Sequence, residues 1–93
     1  MMSRKQFEIL YYPRAGRFFS KLPQKIKSKL ILKIEKIAEN PNLIGNLDIK
    51  KLATTKSSWR LRQGNIRVIY EIDWKNKSIY VWEIDFRSNV YKN

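Results

Sequence analysis

Apolar and polar residues change their spacing several times along the chain, and each change predicts an element. Residues 6–12, QFEILYY, predict a first strand that ends at Pro13. PRAGRFFSKL then predicts a short helix or helical turn, with Ala15, Phe18, Phe19 and Leu22 available for one face, broken by Pro23. A longer helix runs through QKIKSKLILKIEKIAEN and stops at Asn40-Pro41. At about 100° per residue, Ile26, Leu30, Ile31, Ile34, Ile37 and Ala38 fill one continuous apolar arc. Lys25, Lys29, Lys33 and Lys36 line the adjoining stripe, which reads as a solvated face, and Leu32 falls among the polar positions. NLIGNLDIKKLATTKSS has no clear period and is expected to be loop-rich, carrying Lys50, Lys51 and Lys56 towards a hairpin.

WRLRQGNIRVIYEI, residues 59–72, alternates cleanly and predicts two strands joined by Gly64-Asn65. Glycine supplies the positive φ that a type II′ turn needs at its first central position. A two-residue loop there sets Gln63 opposite Ile66, Arg62 opposite Arg67, Leu61 opposite Val68, Arg60 opposite Ile69 and Trp59 opposite Tyr70. Trp59, Leu61, Val68 and Tyr70 then share one face, and Arg60, Arg62 and Arg67 share the other. Like charges placed opposite one another destabilise a sheet, and a one-residue slip would turn Leu61 and Val68 outward. Three arginines converging with no acid facing them therefore predict an anion site. DWKNKS reads as a turn, and IYVWEIDF as a last strand. Strict alternation there places Tyr80, Trp82 and Ile84 on one face, with Val81, Glu83 and Asp85 on the other.

The order strand, helix, helix and three strands predicts a single α+β domain over residues 1–93. A small, antiparallel-rich twisted sheet (β-α-α-β-β-β) carries the N-terminal helical hairpin on one face. The other face stays open, with the arginines on it.

Charge sharpens this picture. The 93 residues hold 20 Lys and Arg against 8 Asp and Glu, for a net charge of +12, with 43% hydrophobic residues. That combination describes a folded basic domain, in the range of a nucleic-acid binder, and not a disordered tail. The excess lies before Val68. From there on, Lys75, Lys77, Arg87 and Lys92 balance Glu71, Asp73, Glu83 and Asp85. Cysteine is absent, which excludes disulfides and thiolate metal sites. Histidine is absent too, which removes the usual general acid–base, the usual zinc ligand and every imidazole-based triad. No metal or other cofactor is expected. No apolar run approaches a membrane span and the N-terminus lacks a signal-peptide core, so a cytoplasmic protein without membrane contact is the expectation.

FEILYYPRAGRFFSKLPQKIK, ENP, DIKKLA, WRLRQGNIRVIYEID and RSNVYK occur in this order across nearly the whole chain. In that ordered set the chain resembles the RelE/ParE superfamily of toxins from type II toxin–antitoxin systems, and more its RelE branch. The resemblance implies a compact α+β toxin that cleaves messenger RNA at the ribosome and is neutralised by a cognate antitoxin protein. It assigns catalytic roles to Arg60, Arg62, Arg67 and Tyr91, and places Arg87 at the basic position of the terminal motif. Many members carry a histidine or further basic residue just before that arginine, where this chain has Asp85 and Phe86.

RNA cleaves itself when a 2′-OH attacks the adjacent phosphate, leaving a 2′,3′-cyclic phosphate and a 5′-OH. The planar arginine fork binds phosphate at two points and keeps its charge, so Arg60, Arg62 and Arg67 suit the phosphorane. Arginine is a poor proton shuttle. Tyr91 or one of Lys50, Lys51 and Lys56 is then the candidate acid or base, with Lys50, Lys51, Lys56 and Arg87 also expected to bind RNA. Glu83 and Asp85 are rival bases, better read as counter-ions to the arginines. Trp74, in a turn, is the aromatic expected to be exposed. Two alternatives belong to other classes: a ParE-like inhibitor of DNA gyrase, and a catalytically decayed basic RNA-binding or antitoxin-binding domain. An antitoxin matched to this surface should be acidic.

Overall fold

A computed structural model describes residues 7–42, 45, 47–53, 55 and 57–86. Pro13 ends the first strand, β1 (Glu8–Tyr11), and opens α1 (Pro13–Ser20), since its missing N–H is no loss in a first helical turn. Pro23 likewise precedes α2 (Gln24–Glu39), which terminates where Asn40, ahead of Pro41, turns extended. Four strands follow: β2 (Asp48–Lys51), β3 (Ser58–Gln63), β4 (Ile66–Asp73) and β5 (Ser78–Phe86). They form one sheet in the order β1-β5-β4-β3-β2, antiparallel except where β1 runs parallel to β5.

The α+β architecture expected from the sequence is present, with one strand more than the periodicity revealed. β2 lies within the passage expected to be loop-rich. It is four residues long and at the sheet edge, with only Ile49 partly buried against the core.

Both helices cover one face. Ala15, Leu22, Leu30, Ile34, Ile37 and Ala38 meet Leu61, Ile66, Val68, Tyr70, Ile72, Ile79, Val81 and Ile84 in one buried cluster. Burying each large aliphatic side chain contributes about 1.5–3 kcal/mol. The Phe7 N–H donates to the Ala38 carbonyl at 3.0 Å, tying the end of α2 to the start of β1. Of the apolar arc expected on α2, Leu30, Ile34, Ile37 and Ala38 are buried and Ile26 packs at the edge, while Ile31 is exposed. Leu32 is 61% exposed, as its polar-side position implied.

The β3–β4 hairpin has the expected register at every pair from Trp59–Tyr70 to Gln63–Ile66, with Gly64 at φ +61°. The expectation for β5 needs correction. A bulge opposite Ile69 and Tyr70 makes Trp82 an extra residue, because Ile69 faces Glu83 whereas Tyr70 faces Val81. Ile79, Val81 and Ile84 are therefore all buried, and Tyr80, Trp82, Glu83 and Asp85 are not. Strict alternation fails at this one inserted residue.

Candidate active site on the open sheet face

The rungs of the sheet decide what stands next to each arginine. On one rung, Asp48, Arg62, Arg67 and Asp85 follow one another across β2, β3, β4 and β5. On the next, the sequence is Lys50, Arg60, Ile69 and Glu83. Neighbouring strands lie about 4.8 Å apart, so the residues of each row stand side by side. The opposed pair Arg62 and Arg67 is flanked by one acid on each outer side.

This arrangement corrects the expectation that no acid faces the arginines. Asp48 takes Arg60 Nη2 on Oδ1 at 3.4 Å and Arg62 Nε on Oδ2 at 3.2 Å. The Asp48 side chain is 53% exposed, so the bridge is screened, more on the side of Arg62, at 37%, than of Arg60, at 13%. Arg67 is held more loosely, with Nη2 3.9 Å from Glu83 Oε2, the counter-ion relation expected for Glu83. Its side chain is only 25% exposed, and its buried Nε has no hydrogen-bond partner among the described residues. Leaving such a donor unpaired costs about 1–3 kcal/mol.

A cavity of about 490 Å³ beside this cluster is lined by Lys50, Lys51, Leu52, Ala53, Arg60 and Arg62. Lys50, Lys51, Arg60 and Arg62 are thus brought together, with Arg67 on the adjoining strand. Lys51 is less available than Lys50, since its Nζ donates to the Thr55 carbonyl at 3.2 Å and lies 5.7 Å from the Trp59 ring. Lys56, Arg87 and Tyr91 lie outside the described residues. Trp59 packs partly buried against the core and Tyr70 is buried within it, while Trp74 is 50% exposed.

Asp48, which pairs with two of the candidate site's arginines, was not singled out from the sequence. Its signal was the alternation in DIKK, where one inward isoleucine places Asp48 and Lys50 together on the opposite face. Among the described residues, no group of three or more His, Cys, Asp or Glu side chains could hold a metal ion.

The family described as the ParE toxin of type II toxin–antitoxin systems, parDE, matches residues 4–91. A chain of Methanocaldococcus jannaschii named as toxin RelE1 is 30% identical over 88 residues, covering 95% of this chain and 98% of that one. The chain belongs to the RelE/ParE superfamily of toxins. The fold of this toxin matches RelE in a RelE–RelB complex from Pyrococcus horikoshii, with a TM-score of 0.77 and 23% identity over 88% of this chain and 96% of that one. It also matches a chain of the RelB–RelE antitoxin–toxin complex of Methanococcus jannaschii. The TM-score there is 0.69 and the identity 25%, over 88% of this chain and 94% of that one. As in those relatives, the helices of the toxin lie on one side of a twisted sheet, and no described helix is long and apolar enough to cross a membrane.

Proposed function

We propose that this toxin is a ribosome-dependent endoribonuclease that acts in the cytoplasm and inhibits translation by cutting messenger RNA. The observation that carries this reading is the gathering of Arg60, Arg62 and Arg67 on the sheet face away from the helices. In the reaction, a 2′-oxygen bonds to the adjacent phosphorus as its proton passes to a base. The P–O5′ bond then breaks, and the departing oxygen takes up a proton. Arg62 and Arg67 sit where forked donors can hold the phosphorane oxygens, and preorganised donors of this kind are each worth about 3–4 kcal/mol. Lys50, exposed beside Arg60, and Tyr91 are the candidates for proton transfer. Lys51, Lys56 and Arg87 are the further residues assigned to binding the RNA backbone, and the chemistry is proposed to need no metal or cofactor.

The partner that restrains the toxin is a cognate antitoxin, by analogy with the RelE–RelB complexes it resembles. Acidic residues on that partner would compete for the same guanidinium groups. The direct test is a translation reaction assembled from purified components. Transcripts cut only while ribosomes translate would support the proposal, and intact transcripts on active ribosomes would reject it.

A second reading, inhibition of DNA gyrase, is favoured by the parDE description of the matching family and by Phe86 where many RelE relatives carry a histidine or basic residue. Supercoiling of relaxed plasmid by gyrase in the presence of the toxin separates the two. Unimpaired supercoiling excludes the gyrase reading.

A further inference from the structure

The opposite end of the open face has a different chemistry. The bulge in β5 turns Trp82 outward, where its ring lies 3.9 Å, centroid to centroid, from that of Tyr12. The Trp82 indole N–H donates to Glu71 Oε1 at 3.0 Å, and Ser57 Oγ donates to Glu71 Oε2 at 3.0 Å. Two residues along β4, Asp73 accepts the Asn76 backbone N–H at 3.1 Å and Asn76 Nδ2 at 2.9 Å. These hydrogen bonds keep the Asp73 carboxyl below its ordinary pKa, and therefore ionised. A cavity of about 460 Å³ lies between the two carboxylates, walled by Tyr12, Trp74, Tyr80 and Trp82. Three of those rings are substantially open to solvent, with Tyr12 42%, Trp74 50% and Trp82 36% exposed.

We infer that this cavity is a second binding site, which receives the guanidinium of an arginine from a protein partner. Aromatic faces carry the negative part of the ring quadrupole and attract cations. A carboxylate offers about four acceptor positions. Ser57 and Trp82 occupy two on Glu71, and Asn76 with the Lys75 backbone N–H occupies three on Asp73, which also has the Lys75 charge nearby. Both carboxylates line the same cavity as the four aromatic rings. Arginine combines a planar body that stacks on rings with several N–H donors in a fixed fork. A nucleic acid is disfavoured here, because its phosphates would approach Glu71 and Asp73. These two acids stand together in a chain with 20 basic and 8 acidic residues, which makes their placement among exposed rings more informative. The site is independent of whatever the arginine end binds.

The test is a titration of the intact toxin with N-acetyl-arginine amide, followed through the indole N–H signals in ¹H–¹⁵N spectra. Trp74 and Trp82 should shift saturably, while Trp59, on the helix-covered face, stays still. In the Glu71→Gln/Asp73→Asn double variant the affinity should fall about tenfold or more, the scale of losing a charge-assisted hydrogen bond. Trp74→Ala alters an exposed turn residue, and it should also weaken binding without loss of folded-state dispersion. Unchanged affinity in the double variant, equal movement of Trp59, or equal affinity for N-acetyl-lysine amide would overturn the inference. Saturation by adenosine monophosphate in place of the arginine probe would do so too, and would mark a nucleobase site instead.

Discussion

The two ends of the open sheet face share the same strands and present opposite chemistry. At one end, β2, β3 and β4 set Lys50, Arg60, Arg62 and Arg67 around Asp48 and Glu83. At the other, β4 and β5 set Glu71 and Asp73 among four aromatic rings. The strand β4 passes from one to the other through its outward positions Arg67, Ile69, Glu71 and Asp73. Six residues of strand span about 20 Å, more than twice the Debye length of about 8 Å at physiological ionic strength. Charges at the far limits, Arg67 and Asp73, are therefore largely screened from each other, whereas Arg60 and Glu71 are diagonal neighbours across β3 and β4 and mark where the two ends meet. A single sheet of this size can carry two sites of opposite preference, provided that one strand runs through both.

The largest effect is expected from Arg67→Ala. Cleavage in a purified translation system should fall by about 100- to 1,000-fold, as when a preorganised oxyanion donor is removed. Thermal stability should change little, because the substitution also removes the unpaired buried Nε. A proportionate loss of folding instead would make Arg67 a structural residue.

Tyr70 lies beneath the sheet on β4, 2% exposed, and burial pushes its phenol well above the ordinary range. The unfolded chain ionises this group first, at about pH 10. Its contribution is therefore intact below pH 10 and lost as the pH rises further, by up to about 1.4 kcal/mol per pH unit. Denaturant melts between pH 9 and 11.5 should show this slope, reduced in Tyr70→Phe. The loss should not distinguish the two ends.

Smaller effects are expected from residues specific to one end. Asp48→Asn removes the carboxylate that Arg60 and Arg62 share, and should raise affinity for single-stranded RNA about three- to tenfold at low salt, with the gain shrinking as salt rises. A fall in affinity would mean that Asp48 serves chiefly to hold the two forks in place. At the aromatic end, Lys77 has φ +52° in the turn between β4 and β5, a conformation strained for a side chain and open to glycine. Lys77→Gly should raise stability by up to about 1 kcal/mol in chemical denaturation, since the relief of strain is partly offset by glycine's entropy. RNA binding should be unchanged.

The arginine end was largely legible in the sequence, and the aromatic end was not. Gly64-Asn65 and the alternation of Leu61, Val68 and Tyr70 pin the hairpin register, which alone places Arg60, Arg62 and Arg67 on one face. The four-residue edge strand β2 escaped because its single inward residue, Ile49, is too little for a periodic signal. Asp48 escaped with it, and so did its bridge to two arginines. At the other end, the bulge adds one residue to β5 without a glycine to mark it. Alternation read through it sends Ile84 to the wrong face and conceals that Trp82 and Glu83 both lie outside the core. Tyr12 reaches Trp82 through the parallel pairing of β1 with β5, a contact between distant parts of the chain that local pattern cannot reveal.

The central claim is that the arginine end is where the toxin meets a polyanion. Its most direct measurement is the salt dependence of binding to single-stranded RNA, compared between wild type and the triple variant Arg60→Ala/Arg62→Ala/Arg67→Ala. Every phosphate that the variant no longer neutralises should flatten the slope of log K against log salt by about 0.7. The triple variant should therefore lose about 2 in slope, while Glu71→Gln/Asp73→Asn leaves it unchanged. An unaltered slope and affinity in a folded triple variant would contradict the claim.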